Sequence, residues 1–339
     1  MRRYRHVLGL VVAAMTTAVV TAPAPLPAAS QAQSPPNHGE DVSGFVIAAV
    51  GDLVPHPNLA SDANARAVKR LADSHHPDAY FLLGDLQYET GVLALYQSVY
   101  DPIWGDVKQD TYPTAGNHEY GNGMNSGWAS TGGGYFDYYA SRARPGSASY
   151  YWFYVNLPAG GRWLVVVLNS ACGDYDNPPE WHTPLCTTDS AQASWLRSVL
   201  DANQQIRCIM AVFHEPRFAT PAPVAGKPSM ATLWNIMDNE GAARGVDLVL
   251  NGHNHAYERL KPMIFNGTID HSRGIWSTIV GTGGRDLIPF RGTVHPARSA
   301  ADDDHFGFLK LVLRSDGWTQ SFKRTDGTSF DTKAFGCNP

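Results

Sequence analysis

The sequence predicts an α/β protein built on mixed β-sheet, and three observations carry that expectation. Short apolar segments of strand length alternate with amphipathic segments of helix length, the pattern of a sheet with crossover helices. Two of the strongest apolar segments, 150–156 and 163–168, are separated by Pro158-Ala159-Gly160-Gly161 and read as an antiparallel hairpin. From residue 44 onward there is no internal repeat, no long linker and no shift in composition, so 44–339 reads as one domain. The 339 residues are 43% hydrophobic and 17% charged, which excludes a disordered, collagenous or disulfide-stapled miniprotein and suffices for a large core.

Taken in order, residues 1–32 read as a cleavable export signal. Arg2, Arg3 and Arg5 precede an apolar run over 7–20, small residues follow, and Ser30-Gln31-Ala32 is a cleavage site. The run is too short to cross about 30 Å of hydrocarbon at a helical rise of about 1.5 Å per residue. Arg2-Arg3 hints at the twin-arginine route without deciding it. Residues 33–43 are polar and Pro-bearing, a flexible leader. Strands are expected at 45–50, 79–83, 111–114, 150–156, 163–168, 208–213, 246–250, 275–280 and 307–313. Asp316-Gly317 signals a tight turn, and another strand is expected at 318–323. Helices are expected at 62–74, 92–99, 191–202 and 230–239. The stretch 120–139, rich in Gly and aromatic residues, reads as an ordered loop that could wall a substrate site.

Charge and cysteine usage narrow the function. Without the signal the chain carries 23 basic against 31 acidic residues, a formal −8, which gives neither nucleic acid nor anionic membrane a basic surface to bind. No membrane span is expected once the signal is removed. Cys172, Cys186, Cys208 and Cys337 include no CxxC pair, and an even count in an exported chain suggests two disulfides. Of the three connectivities, Cys172 with Cys186 and Cys208 with Cys337 is favoured, the second tying down the C-terminus. Asp302-Asp303-Asp304-His305 could bind calcium, although it lacks EF-hand spacing and reads more readily as a solvated acidic loop.

Five segments share one design, an Asp, Asn or His at or just after the end of an expected strand. They are Gly51-Asp52, Gly84-Asp85-Leu86-Gln87-Tyr88, Gly116-Asn117-His118-Glu119, Phe213-His214-Glu215 and Gly252-His253-Asn254-His255. In an open α/β sheet ligands collect outside the carboxyl ends of the strands, so these side chains can converge although they are scattered along the chain. His253 and His255 lie two apart and face the same way on an extended segment. Any one segment alone is an ordinary turn; five together read as a metal site.

With Ala256-Tyr257-Glu258-Arg259 added, the set GDxxY, GNHE and GHxHxYER resembles the calcineurin-like metallophosphoesterase superfamily, in particular its purple acid phosphatase branch. The resemblance implies a four-layer α/β/β/α sandwich of two mixed β-sheets. It implies one metal held by Asp52, Asp85, Tyr88 and His255, and a second held by Asp85, Asn117, His214 and His253, with Asp85 bridging. Val54 stands where most of the superfamily has a ligating His; the purple branch lacks that His and recruits the tyrosine, which Tyr88 matches. Such oxygen and imidazole ligands suit iron, zinc and manganese, either Fe(III) with a divalent ion or two divalent ions.

The expected activity is hydrolysis of phosphoric esters by a metal-bound hydroxide, the two ions clamping the phosphate oxygens. Asn117 and His118 would contact substrate, His118 also protonating the leaving alkoxide; the alternative for His118 is a partner that only orients a ligand. His56 reads as a solvent-facing loop residue, and Arg217 and Arg259 as salt-bridging residues that could also reach substrate. A secreted acid phosphatase acting on a small phosphorylated substrate is the first expectation. A phosphodiesterase acting on small diesters such as glycerophosphodiesters is the second, and a non-catalytic metal-dependent binding module the third. Oligomeric state is open.

Overall fold

The computed structural model describes residues 30–35, 44–58, 60–121, 133–171, 186–221, 226–238 and 245–339. The expected signal through residue 29, most of the leader, Cys172 and its Pro-rich loop, and residues 122–132 of the glycine- and aromatic-rich stretch lie outside them.

The first half builds a parallel unit. β1 (Phe45–Val50), wholly buried, leads through α1 (Ala63–Asp73) to β2 (Ala79–Leu82), and then to an irregular helical run. That run comprises α2 (Leu93–Leu95), a π-helical turn (Tyr96–Tyr100), α3 (Asp101–Trp104) and a 3₁₀ segment (Gly105–Asp110), and it delivers β3 (Thr111–Pro113). α4 (Gly133–Tyr139) follows, where the sequence suggested only loop. Tyr135, Phe136, Tyr138 and Tyr139 are buried; Tyr138 and Tyr139 pack with Tyr96 and Tyr100, and Tyr135 packs with Phe136 and Tyr139, so this part of the stretch builds aromatic core. Its glycines and tyrosines carry no apolar period, which hid the helix.

β4 (Tyr151–Asn156) and β5 (Arg162–Val167) form the expected hairpin, Tyr151 opposite Val167. α5 (Ala191–Ala202) starts at Ser190, whose side chain accepts the Ala193 N–H, an N-cap that satisfies an otherwise orphaned donor. β6 (Cys208–Val212), α6 (Ala231–Met237) and β7 (Leu248–Asn251) complete a second parallel unit. β8 (Tyr257–Met263), β9 (Ile275–Val280), β10 (Arg298–Asp302), β11 (Gly307–Arg314), β12 (Gly317–Arg324) and β13 (Ser329–Gly336) are the remaining strands. Three of these escape the apolar pattern. β8 carries Glu258, Arg259 and Lys261, β10 is short and polar, and β13 is a largely exposed edge.

Two mixed sheets result, ordered β13-β12-β11-β1-β2-β3 and β10-β8-β9-β7-β6-β5-β4. Alternation along β5 and β6 shows the layering. Trp163, Val165, Val167, Met210 and Val212 join the core that contains β1, β2 and α1, while Leu164, Val166, Ile209 and Ala211 face a second core built with α5 and α6. Helices therefore cover the outer faces of two facing sheets, as the resemblance implies. Before β1, Gln31 bridges Trp152 of β4, the Ala32 N–H donates to the Trp152 carbonyl at 2.8 Å, and Ala32 is buried. No helix among the described residues is long and apolar enough to cross a membrane.

Cys208, the first residue of β6, is bonded to Cys337, just beyond β13, across 129 residues of sequence. The bond clasps one sheet to the edge strand of the other. The acidic run binds its own neighbours. Asp302 pairs with Arg324 at 2.6 Å, and Asp303 accepts the Phe290 N–H at 2.7 Å, so these carboxylates serve as loop anchors. Replacing Cys337 by Ser is expected to lower unfolding free energy by about 2–5 kcal/mol, because a long loop is released in the unfolded chain. Denaturant titrations with and without reductant check this: the oxidised variant should be less stable than oxidised wild type, and reduction should shift wild type by more than the variant, which keeps Cys186 in its own disulfide.

Candidate metal centre

The centre lies where strands of both sheets end. Asp52 follows β1, Asp85 and Tyr88 follow β2, Asn117 and His118 follow β3, His214 follows β6, and His253 and His255 follow β7. The turns that place them are tight. Asp52, Asp85 and His253 occupy the left-handed backbone region at φ 62°, 51° and 73°. That region costs a residue bearing a Cβ on the order of 1–2 kcal/mol, and it is uncommon outside sites where the surroundings impose it. At Gly116 an added Cβ would run into the Asp85 carboxylate, so glycine is needed there for the backbone to come close.

All seven expected ligands meet in two overlapping groups. The Tyr88 hydroxyl oxygen is 2.7 Å from Asp52 Oδ1, 3.0 Å from Asp85 Oδ2 and 3.1 Å from His255 Nε2. On the other side of Asp85, His214 Nε2 is 3.2 Å from Asp85 Oδ2 and 3.1 Å from Asn117 Oδ1, and His253 Nδ1 is 3.0 Å from the same Asn117 oxygen. Ligand atoms of Asp85, His214 and His253 all lie within 4.8 Å of one another. Asp85 alone belongs to both groups.

The donor chemistry fits cations. His214 Nδ1 lies 2.8 Å from the Leu83 carbonyl and His255 Nδ1 lies 2.8 Å from the Asp286 carbonyl. A nitrogen bonded to a carbonyl oxygen carries the proton, so in the neutral rings both Nε2 lone pairs point inward. There they meet carboxylate and amide oxygens that are themselves acceptors, a convergence that a positive ion resolves. Asp52 and Asp85 are completely buried, and among the described residues neither pairs with Lys or Arg.

The titration behaviour expresses the same crowding. Burial alone would raise Asp52, but the hydrogen bond and charge of His255 bring it below the usual carboxylate range. Burial opposes a low value at Asp85 too, and the positive charges of His214 and His118 outweigh it. Burial would lower His214, yet the Asp85 and Asp52 charges push it up to about 9. Burial and the neighbouring His214 push His253 down to about 3. Burial and the two carboxylates raise the Tyr88 phenol well above its ordinary value, so only a strongly charged ion would hold it as phenolate.

His118 sits at the edge of the group. Its backbone N–H donates to Asp85 Oδ1 at 2.8 Å, its Nδ1 is 2.7 Å from the Glu89 carbonyl, and its Nε2 is 3.8 Å from Asp85 Oδ2. Glu119, the last residue of GNHE, escaped sequence reasoning as a working residue. It is fully buried and accepts the N–H groups of Gly116 (2.7 Å), Asp85 (2.9 Å) and Leu86 (2.9 Å) and the Tyr96 hydroxyl (2.9 Å). One carboxylate thus fastens the loop after β2 to the loop after β3. An acid directly behind Asn117 and His118 was the only signal for it. Arg259 pairs with Asp331 at 2.6 Å, and His56 accepts the Asn58 N–H at 3.2 Å, so both are engaged in local structure.

The family model of the calcineurin-like phosphoesterases matches residues 45–257. The chain is similar in fold to a purple acid phosphatase from yellow lupin (Lupinus luteus) seeds, at 17% identity and a TM-score of 0.66 over 91% of this chain and 55% of the lupin chain. It thus spans about half the length of that protein. It is also similar to a dimetal phosphatase from Danio rerio, at 13% identity and a TM-score of 0.56 over 87% of this chain and 100% of that one. GAP50, the anchor in the inner membrane complex of Plasmodium, shares the fold at 12% identity and a TM-score of 0.57, over 88% of this chain and 90% of that one. The search of curated proteins finds no match.

Glu119→Gln, which sets an amide N–H₂ among three backbone donors, is expected to destabilise the chain by about 2–4 kcal/mol. It should also weaken metal uptake by loosening both loops. Calorimetric melting with and without added Mn²⁺ or Zn²⁺ checks both: the melting temperature should fall, and the rise on adding metal should shrink.

Proposed function

The chain belongs to the calcineurin-like phosphoesterase family, and from that premise we propose that it is an exported phosphoric ester hydrolase with a dinuclear metal centre, acting chiefly on phosphomonoesters as a purple acid phosphatase does. The observation that carries the purple-type reading is the Tyr88 hydroxyl set among Asp52, Asp85 and His255. Val54, where a histidine would otherwise ligate, is buried and paired in register with Gln87.

Asp52, Asp85, Tyr88 and His255 would hold one ion, and Asp85, Asn117, His214 and His253 the other. Two such ions supply Lewis acidity, polarising phosphate oxygens and lowering the pKa of water. The chain's own residues do the rest. The Leu83 and Asp286 carbonyls keep the His214 and His255 rings turned inward. Asn117 and His118 share the turn after β3 and would face a bound phosphate from one side. With Nδ1 engaged by the Glu89 carbonyl, His118 presents Nε2 toward the centre, placed to give a proton to the leaving alcohol oxygen. The ion pair is Fe(III) with Fe, Zn or Mn, or two divalent ions. Because burial and two carboxylates oppose ionisation of Tyr88, its phenolate form goes with the first choice. Residues 1–32 act as the export signal and 44–339 as the catalytic domain. The Cys208–Cys337 bond suits an oxidising compartment.

Asp85→Asn and His253→Ala should each reduce hydrolysis of p-nitrophenyl phosphate on the order of a hundredfold or more, with loss of bound metal measured on the same samples. Unchanged turnover in both would end the site assignment. Comparison with bis-p-nitrophenyl phosphate and a glycerophosphodiester separates the reactions, since a strong preference for either diester would replace phosphatase by phosphodiesterase.

Iron-loaded protein should absorb visible light through Tyr88, and Tyr88→Phe should remove the band. Full activity without colour would assign two divalent ions.

A further inference from the structure

The loop after β9 is fastened to the metal-centre segments. The Gly283 N–H donates to the Gly51 carbonyl at 3.0 Å, the Arg285 N–H donates to the Asp52 carbonyl at 3.0 Å, and the Asp286 carbonyl holds His255 Nδ1. The Arg285 backbone is therefore as fixed as the ligands, and its guanidinium carbon lies 5.4 Å from the centre of the Tyr88 ring.

The arginine is held but underused. Nη1 donates to Asp286 Oδ2 at 2.8 Å; Nη2 lies 3.1 Å from Glu89 Oε1, which nevertheless lacks a hydrogen bond; and Nε is buried with no partner. An unpaired buried nitrogen is not peculiar to Arg285, since Arg144 and Arg217 leave Nε and Arg298 leaves Nη2 without a partner; what is peculiar is its place beside the centre, and the arginines that clamp carboxylates far from it are more fully engaged. Arg259 places Nε and Nη2 on Asp331 at 2.6 and 2.8 Å, and Arg324 places Nε and Nη2 on Asp302 at 2.6 and 2.5 Å. Leaving a buried donor unpaired is costly, whereas a planar carboxylate or a phosphate can take two guanidinium N–H groups at once. Of its two carboxylate neighbours, Asp286 is 72% exposed and so screened by water, and Glu89 is 26% exposed.

The location says which part of a substrate would arrive there. The His118 ring packs on the same Tyr88 ring at 4.3 Å between centroids, and Glu89 touches both His118 and Arg285. Arg285 thus shares a wall with the group placed to protonate the leaving alcohol. We propose that Arg285 is a specificity-determining residue that contacts substrate, taking a second anionic group carried on the alcohol side of the ester. The preferred substrates are phosphomonoesters bearing a nearby carboxylate or second phosphate. This rests on the reading of the centre given above.

The test compares esters by ratio in the metal-loaded protein. In Arg285→Gln, kcat/KM for phosphoglycolate relative to p-nitrophenyl phosphate should fall by roughly tenfold or more, the loss of a charge-assisted pair. Arg285→Lys should restore part of the ratio, and it carries the test if the Gln variant melts out. Propanediol bisphosphate in place of phosphoglycolate shows whether the second phosphate or the carboxylate is the stronger partner. A readout without turnover is calorimetric binding of phosphonoacetate relative to methylphosphonate, which should lose the same factor. Turnover by wild type with ratios unchanged in both variants would overturn the role of Arg285 alone. No turnover by wild type, with an Arg285-dependent preference for phosphonoacetate, would overturn the hydrolase reading and leave the anion site standing.

Discussion

The arrangement depends on a shortage of protons. Where the strands of two sheets end, carboxylate, amide and imidazole atoms point their lone pairs at one another around the buried Asp52 and Asp85. Asp85 lies between the two groups, 3.0 Å from the Tyr88 oxygen and 3.2 Å from His214 Nε2. Backbone carbonyls use up the outward nitrogens of His214 and His255, so those rings have no neutral way to supply the missing donors. A cation completes such a set, and the left-handed turns at Asp52, Asp85 and His253 are the strain the chain carries to keep it assembled.

Around that centre the polar groups form a graded support. Glu119 spends its carboxylate on backbone N–H groups, holding loops and no ligand side chain directly. Glu258, wholly buried on β8, does similar work farther out, accepting from Thr220 and Arg298. Their common feature is that buried charge is matched by fixed donors.

Much of this was legible in the sequence for a physical reason. Buried parallel strands such as 45–50 and 208–212 must be continuously apolar, and the polar residue that follows each is forced to their carboxyl ends, so strand pattern and site pattern announce each other. What escaped was held by pairing rather than by apolar burial. β8 reads as charged because Glu258 and Arg259 find partners on other strands, and β13 reads as loop because an edge strand needs little apolar surface. Residues 133–139 fold as helix on tyrosine packing that no apolar period records. The role of Glu119 was hidden because a carboxylate that binds backbone looks, in sequence, like any other acid.

The position of the Cys208–Cys337 bond separates durability from chemistry. β6 runs from that cysteine to the residue before Phe213-His214, so the bond and the site sit at opposite ends of one strand, roughly 15–20 Å apart at about 3.3 Å per residue. Reduction would first free the exposed edge strand β13 and open it to proteases, while the far pole kept its ligands in place. Redox conditions would thus govern how long the molecule survives, and leave how fast it works to the far pole of the strand.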